Sequence, residues 1–411
     1  MKFLRWLPLL PLLSVVFAPF PLEAQGQAAP LVPKFIKGNS SDVIAADIFD
    51  TIIYLPVKIN GRGPYSFVLD TGNAGTPILN EKLAGALQIP LGNKIPIIGA
   101  GAKTIGLSPI DKLDVAFAGL EFAAVPAAAL PLDLMDPHWR KHKDGLIGGT
   151  IFSAAVTEID YAKKTVRFSD PKTFVRPAGE ALPIEIYGQP YVRLKIFLFG
   201  IPQSVEALMM VDTGVRITTF NAPFSKENRL AARSPKSLAT MTGCGIGGES
   251  WGVIGRVQAI QLGSLRIENP VVAFSTDQGG VMASDQFSGI IGSDILRRFH
   301  VVFDYQGRSM ILEKNADFDA PFEYDMSGLR LIAAGDKMDI IKVFYVTEKT
   351  PAQAAGLLQG DEIQTIDGRK ASEFNWEALR AYFRRPGKTV RLGIARGGRT
   401  LSVALALQRL V

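Results

Sequence analysis

The chain has 411 residues, of which 47% are hydrophobic and 20% charged, with a formal net charge of +6 and a single cysteine. So many hydrophobic residues exclude a disordered chain, and the lone Cys244 excludes an internal disulfide. The length predicts two or three domains, and 40 glycines with 26 prolines favour β-rich structure with many turns.

The N-terminus has the pattern of a secretory signal peptide. Lys2 and Arg5 precede an apolar stretch over residues 6–20, and Leu22-Glu23-Ala24 follows, with the predicted cleavage after Ala24. This predicts a signal peptide over residues 1–24, an exported protein in the periplasm or outside the cell, and no membrane span after cleavage. The alternative is an uncleaved anchor, which the shortness of the stretch and its prolines disfavour.

An Ala-, Pro-, Gly- and Ser-rich segment, residues 25–50, is predicted to be an N-terminal arm, acting either as an inhibitory pro-segment or as a tether. After it, the chain repeats one order of elements twice. Each repeat begins with two predicted strands joined by a turn: residues 52–59 and 65–69, then residues 191–197 and 205–211. The second strand of each pair ends at an aspartate, Asp70 and Asp212 respectively.

Each of these aspartates begins an Asp-Thr-Gly triplet, Asp70-Thr71-Gly72 and Asp212-Thr213-Gly214. Two aliphatic residues and a glycine follow at nearly equal distance, as Leu146-Ile147-Gly148 and Ile290-Ile291-Gly292. The spacing indicates an internal duplication in which each half presents one carboxylate. Paired carboxylates on related loops indicate acid–base chemistry on a water molecule.

The C-terminal part of the chain differs from the two repeats in its sequence pattern and charge. Residues 318–325 are predicted to be a linker, and residues 325–411 a separate α+β domain. Residues 326–411 carry 14 Lys and Arg against 8 Asp and Glu, an excess that suits acidic peptides or carboxylates. An ordinary solvated basic surface is the alternative. The sequence contains no nucleic-acid-binding motif that we recognise, so no such partner is expected.

The doubled Asp-Thr-Gly motif resembles the aspartic proteases over residues 51–315: each half resembles a bacterial retropepsin-like lobe, and the pair resembles the single-chain pepsin-like pseudo-dimer. The resemblance implies a mainly β fold with two β-barrel lobes, residues 51–170 and 171–318. It implies that Asp70 and Asp212 face each other, share a proton and activate the water that attacks a peptide carbonyl. Two carboxyl groups about 3 Å apart cannot both be ionised, so one raised and one lowered pKa are expected.

The resemblance also gives supporting roles to three pairs of residues. Gly72 and Gly214 let each loop turn tightly beneath its carboxylate. Thr71 and Thr213 hydrogen-bond across the lobe interface, and the segments that end in Gly148 and Gly292 pack behind the loops. No metal or cofactor is expected, and because one chain supplies both aspartates, a monomer is expected.

Two residues depart from the family pattern. Pepsin-like enzymes have Ser or Thr after the glycine, and retropepsins have Ala, whereas this chain has Asn73 and Val215. Val215 has no side-chain donor, and Asn73 offers its side-chain amide to Asp70. Fewer donors to the ionised form predict a less depressed pKa and a pH optimum milder than strongly acidic. The same departures keep open a non-catalytic peptide-binding or scaffolding protein with a degenerate protease fold.

Proteases of this type close β-hairpin flaps over the substrate. One Gly-rich stretch lies some 30 residues after each aspartate, residues 99–106 and residues 243–252. Their candidate flap residues are Gly101, Thr104, Gly245 and Trp251. The first stretch lacks the tyrosine of a pepsin flap, and Trp251 in the second is the candidate substitute. Ordinary surface hairpins are the alternative.

The C-terminal domain resembles the PDZ domains attached to bacterial proteases. The resemblance places a carboxylate-binding loop at Gly328-Leu329-Arg330-Leu331. PDZ domains bind an extended peptide C-terminus as an added strand, so peptide or protein C-termini are the expected partners here. A structural cap on the protease is the alternative.

Two other site types were weighed. His138 and His142 lie four residues apart among Asp133, Asp136 and Asp144, but the Asp-Pro-His-Trp sequence indicates a loop and disfavours a metal site. A serine hydrolase is disfavoured because no Gly-x-Ser-x-Gly elbow occurs in the chain. The sequence therefore predicts an exported, monomeric aspartic endopeptidase that cleaves a polypeptide substrate.

Overall fold

The computed structural model describes residues 31–99, 101 and 103–411, and within it Leu31–Val411 forms one compact unit. The predicted signal peptide, residues 1–24, lies outside the described residues. Across the described part of the chain, helices are too short or too polar to span a bilayer.

The first lobe consists mainly of strands. They are β1 Lys34–Phe35, β2 Ile44–Ala45, β3 Asp47–Phe49, β4 Ile52–Ile59, β5 Arg62–Leu69, β6 Ile78–Asn80, β7 Ile95–Ile98, β8 Thr104–Phe117, β9 Leu120–Leu130, β10 Gly145–Ile147, β11 Val156–Asp160 and β12 Thr165–Ser169. Its short helices are α1 Glu81–Ala86, α2 Asp136–Trp139 and α3 Gly149–Ala154, with a 3₁₀ turn at Leu132–Met135.

The sequence pattern of β4 explains its place in the core. Leu55, Val57 and Ile59 are buried while Pro56 and Lys58 are exposed, the alternation of a strand with one face on a core. Nine strands form the main sheet of this lobe, in the order β1-β9-β6-β10-β5-β4-β8-β7, with β3 beside β4. The strand that leads to Asp70, β5, therefore lies at the centre of the sheet, between β4 and β10.

The second lobe repeats this plan. Its strands are β13 Glu180–Tyr187, β14 Gln189–Phe197, β15 Val205–Val211, β16 Thr219–Phe220, β17 Leu238–Gly245, β18 Gly248–Arg256, β19 Ala259–Leu262, β20 Leu265–Glu268, β21 Val271–Ser275, β22 Gly289–Ile291, β23 Phe299–Asp304 and β24 Ser309–Lys314. Its helices are α4 Ala222–Glu227, α5 Leu230–Arg233 and α6 Ser293–Leu296, with a 3₁₀ turn at Val281–Ala283.

The two lobes share one sheet. In the order β13-β24-β23-β11-β12-β2, strands from both lobes run side by side, and the join is the antiparallel pairing of β11 with β23, for example Ile159 with Val301. Both residues are fully buried in a single core that continues through the two lobes. This shared sheet fixes the lobes relative to each other and so fixes the two Asp-Thr-Gly loops.

The C-terminal domain is a separate small sheet with its own core. Its strands are β25 Leu329–Ala334, β26 Ile340–Val346, β27 Glu362–Ile366, β28 Arg369–Lys370, β29 Thr389–Arg396 and β30 Arg399–Ala406; its helices are α7 Pro351–Ala354 and α8 Trp376–Tyr382, with a 3₁₀ turn at Ala371–Glu373. The strand order is β25-β26-β27-β29-β30, with β28 beside β27. Strand β25 is therefore an edge of this sheet.

The segment predicted as an N-terminal arm is integrated into the lobes where the structure describes it. Strand β1 pairs with β9, β2 pairs with β12, and β3 pairs with β4. Ile44 and Ala46 belong to the shared core. Residues 31–50 therefore contribute strands to both the first-lobe sheet and the sheet shared by the lobes.

Candidate active site

Each Asp-Thr-Gly loop leaves a central strand at the same point and is held from behind in the same way. β5 pairs in parallel with β10, and β15 pairs in parallel with β22. The backbone N–H of Asp70 donates to the carbonyl of Ile147 at 2.9 Å, and that of Asp212 donates to the carbonyl of Ile291 at 3.0 Å. The aliphatic segments before Gly148 and Gly292 thus lie directly behind the loops.

The threonines of the two triplets join the loops across the lobe interface. Thr71 Oγ1 donates to the carbonyl of Val211 at 2.7 Å, and Thr213 Oγ1 donates to that of Leu69 at 2.6 Å. Each hydroxyl also accepts the backbone N–H of the opposite threonine, at 3.0 and 3.1 Å. Both threonines are completely buried. The result is a symmetric set of four buried hydrogen bonds that holds the loops in register.

This register brings the two aspartates together, and Asp212 hydrogen-bonds to Asp70. The glycines make the approach possible. A Cβ atom on Gly214 would lie 2.7 Å from Asp70 Cγ, and one on Gly72 would overlap the carboxyl group of Asp212. No other amino acid fits at either position without displacing the carboxyl group of the opposite lobe.

The donors to the two carboxyl groups are backbone amides. Asp70 Oδ1 accepts the N–H of Gly72 at 2.9 Å and that of Asn73 at 3.2 Å, and Asp212 Oδ1 accepts the N–H of Gly214 at 2.8 Å. The expected donation from the Asn73 side chain does not occur, because its Nδ2 donates instead to the carbonyl of Thr76 at 3.1 Å. The residue after the glycine thus contributes its backbone, which any residue other than proline supplies.

The pKa values of both carboxyl groups are raised, and that of Asp212 is raised well above its ordinary value. The main cause for each is burial. At Asp212 the charge of Asp70 adds to this rise, whereas at Asp70 the hydrogen bonds from Asp212, Gly72 and Asn73 work against it. The expectation of one raised and one lowered pKa is therefore wrong, because burial dominates on both sides. The pKa of Asp212 is raised more strongly, because the charge of Asp70 adds to the effect of burial there.

An apolar cluster borders the dyad on the second lobe. Met210, Met282, Phe287 and Ile290 are buried together, with Tyr191, Leu208, Val215 and Val281 packed against them. Val215 therefore belongs to an apolar wall beside Asp212. Sequence reasoning missed this cluster, although the apolar side chains of β15 on either side of Met209 were a signal for it.

Both flap candidates are hairpins in the structure, and their tips meet. The first is β7–β8, with Gly101 in the turn and Thr104 at the start of β8, and the second is β17–β18, with Gly245 at the end of β17. The N–H of Lys103 donates to the carbonyl of Gly247 at 2.9 Å, and a side chain on Gly101 would collide with Gly247. The two hairpin tips are thus in direct contact.

Trp251, the candidate substitute for the pepsin flap tyrosine, contacts the C-terminal domain. It lies in β18, and its ring packs edge-on against Tyr345 of the C-terminal domain, with the ring centroids 5.2 Å apart.

The predicted carboxylate-binding loop is already satisfied from within the chain. The N–H of Gly328 donates to Asp325 Oδ1 at 3.0 Å, and that of Leu329 donates to Ser327 Oγ at 3.0 Å. Arg330 donates to the carbonyl of Met241 in β17, with Nε at 2.9 Å. Leu331 packs against the core of the C-terminal domain. Two of the amides expected to hold a peptide carboxylate are therefore engaged.

The two histidines considered as metal ligands point in different directions. The His138 ring packs edge-on against Phe344, 4.6 Å between centroids. His142 lies between Asp136 and Asp144 at 2.8 and 3.1 Å, and although burial lowers its pKa, these hydrogen bonds raise it. Within the described residues, no three His, Cys, Asp or Glu side chains converge as a metal site would require.

Comparison with protein families agrees with this geometry. The family model for aspartyl proteases matches residues 55–151 and again residues 200–295, and the model for PDZ domains matches residues 323–407. The chain thus contains two aspartyl protease-like lobes followed by a C-terminal PDZ domain. The predicted resemblance and the predicted fold class, two β lobes and an α+β domain, are confirmed.

Proposed function

We propose that this protein is an exported aspartic endopeptidase that hydrolyses peptide bonds with a water activated between Asp70 and Asp212. The observation that carries the proposal is the contact between these two carboxyl groups, held by the symmetric threonine hydrogen bonds. Such a pair, with one proton between two acids of unequal pKa, supplies a general base and a general acid at one point.

The unequal surroundings of the two groups assign their starting roles. Asp70 is stabilised as the ionised form by two backbone N–H groups and by Asp212, so it takes the proton from the attacking water. Asp212 begins protonated and donates to the carbonyl oxygen of the substrate. After the tetrahedral intermediate forms, the proton held by Asp70 passes to the amine as the C–N bond breaks. In the same step a hydroxyl group of the intermediate returns a proton to Asp212 as the carbonyl of the new carboxyl group forms, so the pair again holds one proton.

Raised pKa values favour activity at milder pH. The catalytic state has one proton on the pair, and burial raises the pKa of both carboxyl groups. The first deprotonation and the second therefore both occur at higher pH than for exposed acids. We expect a bell-shaped pH–rate profile with its maximum well above pH 3. A maximum near pH 3 would contradict this assignment.

Export and the monomeric state belong to the proposal as well. The signal-like pattern of residues 1–24 supports export to the periplasm or beyond. Because both aspartates and both threonines come from one chain, a single copy has a complete dyad. Fractionation with sequencing of the mature N-terminus tests the first point, and light scattering of the purified protein tests the second.

For the PDZ domain we propose binding of polypeptides, as in the family it matches. A free C-terminus as its ligand is the narrower hypothesis, and the engaged amides of Gly328 and Leu329 weigh against it. Paired fluorescent peptides that differ only in a free or an amidated C-terminus distinguish the two. Equal affinity would favour strand addition without carboxylate recognition.

The decisive experiment is cleavage of a mixed peptide library by residues 25–411, read by mass spectrometry from pH 3 to pH 8. The variants Asp70→Asn and Asp212→Asn run beside the wild type, and Asp285→Asn, an exposed site on the same lobe as Asp212, is the matched control. Cleavage is expected for the wild type and the control, with a loss of about 10³-fold or more in both dyad variants.

Two outcomes would contradict the proposal. If a folded wild-type protein cleaves nothing at any pH, the alternative of a non-catalytic peptide-binding protein replaces it. If cleavage survives both dyad substitutions, the active residues lie elsewhere.

A further inference from the structure

One buried carboxylate lies where the two lobes and the PDZ domain meet. Asp50 is separated from the start of β4 by one residue, Thr51, and its side chain is 4% exposed. Three arginines surround it: Arg140 of the first lobe, Arg216 of the second lobe and Arg380 on α8 of the PDZ domain. We call these four residues the Asp50 cluster. Its members come from all three parts of the protein.

The contacts within the Asp50 cluster are direct. Arg140 Nη2 lies 3.3 Å from Asp50 Oδ2, Arg216 Nη1 donates to the same oxygen, and Arg380 Nη1 donates to Oδ1. Burial raises the pKa of Asp50, but the three guanidinium groups, led by Arg380, outweigh burial and lower it. Asp50 is therefore ionised, and its charge is what holds three like charges near one another.

The charges in the Asp50 cluster do not balance. Three arginines face one carboxylate, and the Arg140 side chain is only 9% exposed. Arg140 Nε is buried without a hydrogen-bond partner in the described structure, while its guanidinium lies 4.6 Å above the ring of Trp376. Breaking a buried pair by removing one partner is strongly unfavourable. Loss of the Asp50 charge would leave the arginines to repel one another.

The backbone at the Asp50 cluster is strained. Asp50 has a φ of +54° and Thr51 a φ of +70°. A β-branched residue such as threonine rarely adopts this region, and such strain persists only where the surroundings impose it. Thr51 Oγ1 is hydrogen-bonded to Ser293 Oγ at 2.6 Å. The turn is therefore held by contacts on both of its residues.

The contact of Asp50 with Arg216 and the contact of Thr51 with Ser293 both connect this turn to the loop that carries Asp212. Arg216 follows Asp212 by four residues on that loop. Ser293, the partner of Thr51, donates its N–H to the carbonyl of Val215 at 2.8 Å, and Asp294 donates its N–H to the carbonyl of Arg216 at 2.9 Å. The turn at Asp50 thus fixes the far end of the second catalytic loop twice, through a side chain and through the segment behind it.

We propose that Asp50 is a positioning residue for Asp212, and that Arg380 makes this positioning depend on the PDZ domain. The proposal rests on the proposed function, since it concerns how that dyad is aligned. It assigns the PDZ domain a role in catalysis that does not need a bound peptide. A small displacement of a catalytic group has a large effect on rate, so the loss is expected in kcat.

The experiment uses the full mature chain with four single variants. Asp50→Asn removes the charge with little change in shape, and Asp50→Glu keeps the charge. Arg380→Gln removes the contribution of the PDZ domain, and Arg369→Gln is the matched control, an exposed arginine of the same domain that pairs with Glu373. The measured quantities are kcat and KM for one cleaved peptide and hydrogen exchange of residues 212–218.

We expect Asp50→Asn to lower kcat by about tenfold or more with KM changed by less than about threefold. Arg380→Gln should lower kcat in the same direction by a smaller factor, Asp50→Glu should partly restore it, and Arg369→Gln should match the wild type. In the double variant, Arg380→Gln should add little to Asp50→Asn, because the two residues act through one contact.

Several results would overturn the proposal: wild-type kcat in Asp50→Asn, independent multiplication of the two effects, or an equal effect of Arg369→Gln. If Asp50→Asn does not fold, Arg380→Gln decides by the same readouts, because it leaves Asp50 with two arginines.

Hydrogen exchange separates this proposal from the proposed function. If the wild type cleaves no peptide, the function fails, but faster exchange at residues 212–218 in Asp50→Asn and Arg380→Gln, and not in Arg369→Gln, would still support the positioning contact. Unchanged exchange in both variants would overturn it whether or not the protein cleaves peptides.

Discussion

Lobe 1 and lobe 2 carry the same catalytic loop but support it with different chemistry. The loop of each lobe is contacted by a turn of the other. The turn at Gly188 packs on Ala74 in lobe 1, and Gln189 Nε2 donates to the carbonyl of Gly72 at 3.2 Å. The corresponding turn at Asp50 binds Arg216 in lobe 2 through an ion pair. One support is small and neutral, and the other is charged.

The same contrast continues behind the loops and in the flaps. Thr150 follows Gly148 in lobe 1 at the position where lobe 2 has Asp294 after Gly292. In lobe 2, Arg330 and Thr347 of the PDZ domain bind β17, the first strand of the flap hairpin. The difference teaches that the symmetry covers the Asp-Thr-Gly loops, their threonine hydrogen bonds and the parallel strands behind them, and does not extend to the turns and flaps that support these loops. The PDZ domain thus donates or accepts hydrogen bonds at the flap hairpin of lobe 2.

The largest effect on activity should come from substituting the glycines of the two Asp-Thr-Gly triplets, which both lobes have in common. Gly72→Ala and Gly214→Ala each place a methyl group against the carboxyl group of the opposite lobe, so each should lower kcat/KM by about 10²-fold or more. Gly85→Ala in α1, where nothing lies within 4 Å of the added carbon, is the control. Near-normal activity in either catalytic-loop variant would show that the loops are not packed as described.

Thr71→Val and Thr213→Val test the symmetry of the interface directly. Each removes a buried hydroxyl that donates to one carbonyl and accepts one N–H, so each should lower the free energy of unfolding by about 1–3 kcal/mol. The two losses should be equal, and the double variant should lose less than their sum because they share one network. Urea unfolding measures this, with Thr→Ser at each position as the conservative control.

A pH-dependent stability should arise from the segment behind the loop of lobe 2, which carries Asp294, and not from the matching segment of lobe 1, which carries Thr150. Burial raises the pKa of Asp294 to about 6, against 3.8 for an ordinary aspartate, although hydrogen bonds from Thr218 lower it. A carboxyl group with a raised folded-state pKa contributes stability that is fully present below pH 3.8 and is lost as the pH rises through about 6.

Between pH 4 and pH 7, the wild type should therefore lose on the order of 2 kcal/mol more unfolding free energy than Asp294→Asn, whose amide does not ionise. Urea unfolding at both pH values measures the difference, and Asp285→Asn, exposed in the same lobe, should behave as the wild type. If the unfolding free energy of Asp294→Asn depends on pH as that of the wild type does, Asp294 is not the source of this pH dependence.

The smallest predicted effect concerns the flaps. Arg330→Ala removes the hydrogen bonds from the PDZ domain to Met241, so hydrogen exchange should become about threefold faster or more in β17 and β18. Exchange in β7 and β8 should change less, because that hairpin is linked to this contact only through its tip. Arg399→Ala, exposed in the β29–β30 hairpin, is the control. Equal changes in both flaps would remove this difference between the lobes.

The sequence contained much of the site because the chemistry depends on short, local patterns. An apolar strand followed by Asp-Thr-Gly specifies a carboxylate at a strand end, and its recurrence specifies a pair. The aliphatic segments before Gly148 and Gly292 were predicted to lie behind the loops, where the parallel strands β10 and β22 are found. The PDZ domain was recognisable from its own glycine-punctuated pattern and is matched by its family model.

At three places the sequence identified the residue but not its partner. Asn73 bonds to Thr76 instead of Asp70, Trp251 faces the PDZ domain, and the amides of Gly328 and Leu329 are already engaged. In each case the residue was identified correctly as polar, aromatic or flexible, but its partner depends on a backbone path that a local pattern does not fix.

By itself, the sequence determined which groups are available: two carboxylates on duplicated loops, glycines beneath them and a third domain of known type. Only the tertiary structure decided how strongly burial raises the pKa values of Asp70 and Asp212, because a pKa depends on everything packed around the group. It alone brought Asp50 together with Arg140, Arg216 and Arg380, which are separated by up to 330 residues along the chain. Such a contact requires the whole fold, since no periodicity or spacing relates its members.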